Sequence, residues 1–365
     1  NPIFGFITGW IYVGASLCGP AAIVAVFAQY LREGFGVPMA IGIIVCIVIS
    51  IIVAYMAIGF GVNTLLALWV VQVVLLLIPG IYLLNYAASQ GIDLAQQFVA
   101  MNTPAGTTLG LAALGYGTFV WFFGYPGFEF PTVLVEEAKE GWKTVEYGAI
   151  ISAVGLGLTY WILTNLWMSP VTFEMIDKLS ASSAPLLILS GLLGFGWTDI
   201  AVSLGTILSC LGITCGFLLA VARILYDMGR TGVLPKGFSK TNKYGSPWVA
   251  VTIVGLIWLV NATIAGFMSA TYFEILIDVL VFGSLWAYIW AMIACMKTHW
   301  SDWSARGIIV DKVLPLIGLV VSGYMFVTQS MLSWISGIAW AVVGCIVTLV
   351  IYYVRGKEVF HKAKY

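Results

Sequence analysis

Charged side chains are scarce in this sequence. Only 9% of the 365 residues are Asp, Glu, Lys or Arg, whereas soluble domains carry roughly 25%. Hydrophobic residues make up 61% of the chain, and the mean hydropathy is +1.02. These values exclude a soluble globular domain and predict a lipid bilayer as the surroundings of the chain. The formal net charge of zero also removes the basic signature of nucleic-acid-binding proteins.

Residues that carry enzyme chemistry are few as well. The two histidines, His299 and His361, lie far apart in sequence, and no metalloprotease, nucleophile-elbow or nucleotide-binding motif appears in its required context. We therefore expect neither enzymatic activity nor a cofactor or metal. The six cysteines sit in apolar runs without metal-ligand spacing, and we predict free, buried thiols. They are Cys18, Cys46, Cys210, Cys215, Cys295 and Cys345.

A leader sequence is not recognisable at the start of the chain. Asn1 and Pro2 lead directly into an apolar run, and neither an initiator Met nor a basic segment precedes them. We expect that residues upstream of Asn1 are missing from this sequence.

Long apolar runs are what the chain has in abundance. About 20 apolar residues cross a bilayer as a helix, whereas barrel strands need only about 9–11, so the runs predict an all-α polytopic membrane protein. Short turns such as Gly61–Asn63 separate most of them, and the longer connection 169–196 is expected to hold short helices that form a lid. The other long connection covers residues 85–108. The ten predicted spans lie near residues 3–31, 38–59, 64–86, 109–135, 145–168, 197–226, 248–269, 272–296, 313–332 and 334–355.

Basic residues predict the orientation of these spans. When both chain ends and the loops after the even-numbered spans are placed on one side, fourteen of the sixteen Lys and Arg residues lie there. The other side holds Arg32 and Lys178. The positive-inside rule then makes both visible ends cytoplasmic, in an integral membrane protein that we expect in the plasma (inner) membrane.

The stretch Phe119–Lys139, which overlaps the predicted span 109–135, contains a helix-breaking sequence. Pro126 lacks an amide hydrogen, and Gly124 and Gly127 weaken a helix further. A broken helix persists in lipid only where it lines a protein cavity or water, so we predict a discontinuous helix at a ligand site. Glu129 follows the break and has two open interpretations: a structural acceptor for freed amide groups, or a proton-sensing or ligand-handling carboxylate.

Other acidic residues leave similar alternatives open. Glu136 and Glu137, with Glu140, are either solvated or paired with basic loops as an inner gate. Glu274 and Asp278 are four residues apart on one helix face, and they line an outer vestibule or lie exposed at the helix start.

The segment 222–250 makes the sequence familiar. It reads ARILYDMGRTGVLPKGFSKTNKYGSPWVA, which resembles the cytoplasmic loop of the amino acid–polyamine–organocation permeases. Gly127-Phe128-Glu129 resembles that family's Gly-Phe-Glu, and residues 136–139 resemble its following acidic motif. The resemblance covers nearly the whole chain in order, and it begins at the family's third transmembrane helix.

This resemblance implies a five-plus-five inverted-repeat (LeuT-like) transporter fold in a single transmembrane domain, incomplete at its N-terminus. Residues 1–86 would be the remainder of the first repeat, 109–296 the second repeat with its broken helix near 124–127, and 313–355 two C-terminal helices. The family's first and sixth helices are unwound and hold the substrate. The resemblance makes Phe123 a gating aromatic and Glu129 an acid tied to the break or to proton response. The residues that it implies for substrate binding are Ala15, Ser16, Ile23, Phe123, Gly124, Tyr125, Gly127 and Phe217.

The expected function is therefore secondary active transport of amino acids or related amines by alternating access, as a permease or antiporter. A proton or a counter-substrate is the expected coupling partner, although the third span lacks the lysine that some proton-coupled members use. With only Glu129 clearly buried near the break, a neutral or zwitterionic substrate is favoured. The alternative is a non-transporting membrane amino-acid sensor or partner subunit with the same fold.

Overall fold

The computed structural model describes residues 2–56, 58–93, 110–138, 140–268 and 270–356. Within these ranges the regular structure is helical, and no strand occurs. Most of the long connection 85–108 and the tail with His361 lie outside the described residues. The α-helices are α1 (Pro2–Phe35), α2 (Met39–Tyr55), α3 (Ile58–Ser89), α4 (Leu111–Phe122), α5 (Trp142–Met168), α6 (Phe173–Ser180), α7 (Pro185–Gly191), α8 (Gly196–Arg230), α9 (Trp248–Phe267), α10 (Ala270–Thr298), α11 (Ala305–Ile308), α12 (Leu314–Val327) and α13 (Met331–Arg355). Two 3-10 helices cover Phe130–Glu137 and Lys236–Ser239, and a π-helical turn covers Ile309–Val313.

Membrane-length helices dominate the bundle. Eight helical stretches in the described ranges are long and apolar enough to cross a bilayer. The predicted span 38–59 appears as α2, a shorter apolar helix of 17 residues, and the predicted span 109–135 is divided between α4 and a 3-10 helix. An all-helical polytopic architecture is confirmed, and the total of ten spans stays a prediction.

Helix α1 lies at the centre of the bundle, packed against α2, α8, α9, α10 and α13. Small residues make this close packing possible, as expected for helices in lipid. A methyl group placed on Gly14 would lie 1.8 Å from the indole nitrogen of Trp340, and one on Gly19 would lie 2.4 Å from Leu280. Gly14 and Gly19 therefore allow α13 and α10 to approach α1 closely.

Apolar side chains cover much of the outer surface of the bundle. On α5, for example, Trp161 is 68% exposed and Ile151 is 69% exposed. Such contiguous exposure is unusual for a protein in water but is expected of helix faces that meet lipid or other helices.

The turn between α2 and α3 lies earlier than predicted. Residues 61–63 are helical in α3, and the chain turns at Met56 instead. Two side chains from the segment before α9 form hydrogen bonds with the last carbonyls of α2. Asn242 donates to the carbonyl of Tyr55 and Ser246 to that of Ala54. Freed C-terminal carbonyls need such partners, so a tertiary contact fixed this boundary.

The connection 169–196 holds two short helices, α6 and α7, as expected from its length and composition. Helix α7 packs on α8 and α3, and the amide of Leu186 donates to the Tyr30 hydroxyl at 3.4 Å. Asp199 lies in the first turn of α8, where an acid suits the helix dipole, and accepts a hydrogen bond from Ser190. The role of the connection as a lid stays a prediction.

The structure corrects the expected burial of three cysteines and distinguishes the two acids of α10. All six cysteines are free, but Cys18 and Cys295 are only partly buried and Cys345 is exposed, so burial was wrong for these three. Glu274 and Asp278 separate: Glu274 is exposed, whereas Asp278 is 8% exposed and accepts a hydrogen bond from Ser330 at 2.7 Å. Asp278 is thus enclosed by the start of α13. Of the two acids, only Glu274 lies exposed near the start of its helix, as one of the two alternatives predicted.

Candidate functional site

The predicted span 109–135 is interrupted directly after α4, which ends at Phe122. Phe123, Gly124 and Tyr125 donate to carbonyls three residues back, so the α-helical pattern has already tightened before Pro126. Gly127 then adopts φ +125°, a conformation that favours glycine, and a 3-10 helix starts at Phe130. The sequence Gly-Tyr-Pro-Gly ends the helix for the reasons that predict it: a missing amide hydrogen and residues with no Cβ to restrain the backbone.

Side chains form hydrogen bonds with the backbone groups that this interruption leaves without helical partners. The Tyr160 hydroxyl of α5 donates to the carbonyl of Gly124 at 2.7 Å. The amide of Gly127 donates to Oε2 of Glu129 at 2.8 Å, and the Tyr12 hydroxyl of α1 donates to Oε1 of the same carboxylate. Glu129 therefore has the structural contacts of the first interpretation, and its proton-sensing role stays a prediction.

Aromatic rings enclose the interruption. Tyr125 stacks on Phe122, with ring centres 6.1 Å apart, and meets Tyr160 edge-on at 5.9 Å. Phe130, at the start of the 3-10 helix, packs edge-on against Phe217 of α8 at 4.7 Å. These contacts fix the orientation of the segment relative to α5 and α8, since edge-to-face and offset ring pairs are the favoured geometries.

A cavity of about 420 Å³ lies beside the interruption. Its walls come from α1, α3, the interrupted segment, α5, α8 and Leu280 of α10. Small-molecule sites typically have volumes of about 300–1,000 Å³ and a few polar groups in an apolar lining. The polar side chains of this lining are Gln72, Thr159, Tyr160 and Ser209, and none of the described residues that line the cavity is charged.

The predicted substrate residues divide into two groups. Five line the cavity: Ile23, Phe123, Gly124, Gly127 and Phe217.

The other three lie outside its lining. Ala15 and Ser16 are fully buried in α1, where the Ser16 hydroxyl donates to the carbonyl of Tyr12 at 2.9 Å, and Tyr125 faces the aromatic cluster. Direct contact of any of these eight residues with substrate stays a prediction.

All four polar side chains of the cavity lining are absent from the set of substrate residues that the sequence predicted. Gln72 of α3 lines the cavity, and its carbonyl oxygen is buried without a hydrogen-bond partner. An unpartnered buried oxygen of this kind costs free energy unless something binds it. The signal in the sequence was one amide within the apolar stretch 65–84, but the sequence does not say which way that side chain points.

Ion pairs join the end of the 3-10 helix Phe130–Glu137 to α8. Arg223 contacts both carboxylate oxygens of Glu137 at 3.1 Å, and Arg230 contacts Glu136 at 3.0 Å and Asp227 at 2.9 Å. The hydrogen bond from Arg230 and its positive charge lower the pKa of Glu136 from its ordinary value. That carboxylate is therefore charged at neutral pH, and its pair with Arg230 is lost only as the pH falls through the lowered pKa. Glu136 and Glu137 are thus paired with arginines of α8, although the Glu136 side chain is still 68% exposed, and their role as an inner gate stays a prediction.

An uncharged cavity at an interrupted helix, within a bundle of membrane-length helices, is the arrangement of a membrane transporter. The family model described as "Amino acid permease" matches residues 1–355. Because the match covers nearly the whole sequence, the chain belongs to the amino acid permease family. It is an integral membrane protein of a transporter family and not of an enzyme family, which confirms the resemblance seen in the sequence.

Curated relatives are transporters with several kinds of substrate in their names. A methylthioribose transporter of Bacillus subtilis (strain 168) is 22% identical over 347 residues, which are 93% of this chain and 70% of the relative. A vacuolar cationic amino acid transporter 4 of Arabidopsis thaliana is 27% identical, with coverage of 52% and 30%. The low-affinity putrescine importer PlaP of Escherichia coli (strain K12) is 23% identical, with coverage of 63% and 50%. The chain thus spans half or less of two of these relatives.

Proposed function

We propose that this chain forms the core of a secondary active transporter of amino acids or related amines, which works by alternating access. The observation that carries the proposal is the cavity of about 420 Å³ beside the interrupted helix. Backbone at such an interruption offers dipoles to the charged ends of a small substrate without a charged side chain. The five-plus-five inverted repeat and a location in the plasma membrane belong to the same proposal.

The substrate is neutral or zwitterionic in this proposal. A cation held in an apolar cavity needs a nearby carboxylate to offset desolvation, and the described cavity lining has none. Glu129, the nearest carboxylate of the interrupted segment, is occupied by Gly127 and Tyr12. The relatives' names include methylthioribose, cationic amino acids and putrescine, so the preference for a neutral substrate in this proposal is supported by the uncharged lining.

Alternating access requires a contact that opens and closes on each side. The 3-10 helix after the break ends in Glu137, and its pair with Arg223 ties that segment to α8. Because positive-inside counting puts this end in the cytoplasm, we assign the pair to closure on the cytoplasmic side. Phe123, which lines the cavity at the break, is the aromatic that covers the substrate.

Transport by the full-length protein in liposomes tests the proposal. Proteoliposomes are loaded with an unlabelled mixture of neutral amino acids, and uptake of labelled neutral amino acids, lysine and putrescine is measured against protein-free liposomes. We expect saturable uptake of at least one neutral amino acid, competed by other neutral amino acids more strongly than by lysine or putrescine.

The same samples separate transport from sensing. Saturable binding of an amino acid, measured as a thermal shift in detergent, without any flux or exchange would favour the sensor or partner subunit. Saturable uptake of lysine or putrescine alone would contradict the neutral substrate class while leaving transport in place.

A further inference from the structure

A cluster of metal-ligating side chains lies far from the cavity, where α10 connects to α12. Cys295 and His299 sit one helical turn apart near the end of α10, and Asp311 lies in the π-helical turn that precedes α12. One candidate ligand atom from each of these residues lies within 4.8 Å of the other two. The spacing Cys-x-x-x-His on a helix brings two ligands to one face, and the chain reversal after α10 brings the third.

The geometry is close to that of a zinc site. Zinc bonds of about 2.0–2.3 Å in a tetrahedron place neighbouring ligand atoms roughly 3.5 Å apart. The three atoms therefore need to approach one another by about 1.3 Å at most, and His299 is exposed, so a small shift of its ring displaces no buried neighbour.

The histidine is already held as a metal ligand would be. Its Nδ1 lies 3.2 Å from the carbonyl oxygen of Cys295, which is one turn earlier in α10. Donation by Nδ1–H to a backbone carbonyl leaves Nε2 with its lone pair available for coordination. Metal-binding histidines commonly have this second contact, because it fixes the tautomer and the ring orientation.

The neighbouring lysine is directed elsewhere. The ammonium group of Lys312 donates to the carbonyl of Asp302 and lies 4.5 Å from the centre of the Trp303 ring. Asp311 has no ion pair among the described residues. Its carboxylate therefore offers a negative charge to a cation at this site.

We propose that Cys295, His299 and Asp311 bind one divalent transition-metal ion of the zinc class, with water as the fourth ligand. A thiolate, an imidazole and a carboxylate together favour Zn²⁺ or Co²⁺ over Mg²⁺ and Ca²⁺, which prefer oxygen ligands. Binding releases the thiol proton of Cys295 to solvent, so the ion–thiolate bond replaces the S–H bond. The ion would tie the end of α10 to the start of α12 independently of any substrate in the cavity.

Cobalt titration of the full-length protein in detergent under a non-thiol reductant tests the site. We expect one Co²⁺ per protein, with a near-ultraviolet thiolate-to-cobalt charge-transfer band and visible bands of tetrahedral intensity, all removed by an equivalent of Zn²⁺. Cys295→Ser should abolish the charge-transfer band, and His299→Asn should weaken Co²⁺ binding at least about tenfold. Cys345→Ser, at the exposed thiol of α13, should leave both the band and the affinity unchanged.

Three results would overturn the site. They are no thiolate band in the wild-type protein, an unchanged band in Cys295→Ser, or unchanged affinity in His299→Asn. Because His299 is exposed, the asparagine variant is expected to fold, and a thermal unfolding midpoint in EDTA equal to that of the wild type checks this. Amino acid uptake is not a readout here, so failure of the metal site and failure of the proposed transport are separate results.

Discussion

At the scale of single residues, Gln72 is the most informative side chain of the site. Its side chain lines the cavity, and its carbonyl oxygen is buried without a hydrogen-bond partner. A buried acceptor gains most from a substrate that donates a hydrogen bond, such as an ammonium or hydroxyl group. We therefore expect Gln72 to contribute to substrate recognition and little to the folding free energy.

Replacement of this amide tests that expectation. Gln72→Leu should raise the apparent KM for the preferred substrate roughly fivefold, because one hydrogen bond is worth about 1 kcal/mol. Its thermal unfolding midpoint should be equal to that of the wild type or higher, since an unsatisfied buried oxygen is removed. The matched control is Gln329→Leu, another buried amide without a hydrogen-bond partner among the described residues and outside the cavity lining, which should leave KM unchanged. Equal effects of the two changes on KM would contradict a role for Gln72.

The ring of Phe123 gives a second prediction at this scale. Phe123→Ala should weaken apparent affinity about tenfold, because aromatic contacts contribute up to about 1.5 kcal/mol beyond burial. Most of the folded protein should remain, since the side chain is only partly buried. Substrate-dependent thermal shifts and uptake kinetics measure both quantities. Unchanged kinetics in a folded variant would assign Phe123 to packing alone.

At the scale of elements, the interrupted helix is held by partners from three different helices or segments. Tyr160 of α5 binds the carbonyl of Gly124, Tyr12 of α1 binds Glu129, and Phe217 of α8 packs on Phe130. The local sequence ends the helix, but these distant side chains decide the path of the chain after it. Within this segment Gly127 has a φ of +125°, which glycine adopts readily and a residue with a Cβ does not.

A methyl group at Gly127 tests the requirement for glycine at this position. Gly127→Ala should lower the free energy of unfolding by roughly 1–3 kcal/mol, because φ +125° is unfavourable for any residue with a Cβ. The control is Gly117→Ala in α4, where the added methyl meets no atom within 4 Å and helix propensity favours alanine by about 0.5–1 kcal/mol. Thermal unfolding in detergent compares the two variants. A midpoint for Gly127→Ala at or above that of Gly117→Ala would contradict the requirement for glycine at this position.

At the scale of the whole molecule, two ion pairs connect the end of the 3-10 helix Phe130–Glu137 to α8. The residues of each pair are far apart in sequence, by 86 positions for Arg223–Glu137 and 94 for Arg230–Glu136. The Arg223 side chain is only 11% exposed, whereas that of Arg230 is 45% exposed. Screening by water weakens exposed pairs, so the two pairs should differ in strength.

A double-mutant cycle measures this difference. The cycle of Arg223→Ala and Glu137→Ala should give a coupling free energy of about 1 kcal/mol, near the upper end for pairs at a protein surface. The cycle of Arg230→Ala and Glu136→Ala is the control and should give a smaller coupling, because both of these side chains are more exposed to water. Unfolding midpoints at low and high salt are the readout, and the first coupling should fall less with salt. Equal couplings in both cycles would contradict a special role for the Arg223–Glu137 pair.

Much of the fold and part of the site could be predicted without coordinates. Membrane-length helices follow from apolar length, and the break follows from Pro126 and Gly127, because both are local properties of the chain. The family followed from the loop 222–250 and from Gly127-Phe128-Glu129. The turn at Met56 could not be predicted, since Asn242 and Ser246 supply its hydrogen bonds from far along the chain.

The sequence by itself determined that this protein is a helical membrane permease with a broken helix and an acid beside it. Only the tertiary structure decided which side chains face the cavity, with Gln72 in the lining and Ala15 and Ser16 buried outside it. The reason is that nearly uniformly apolar helices have no polar face, so their sequence does not specify their rotation about the helix axis. The same holds for Cys295, His299 and Asp311, which the chain reversal after α10 brings together.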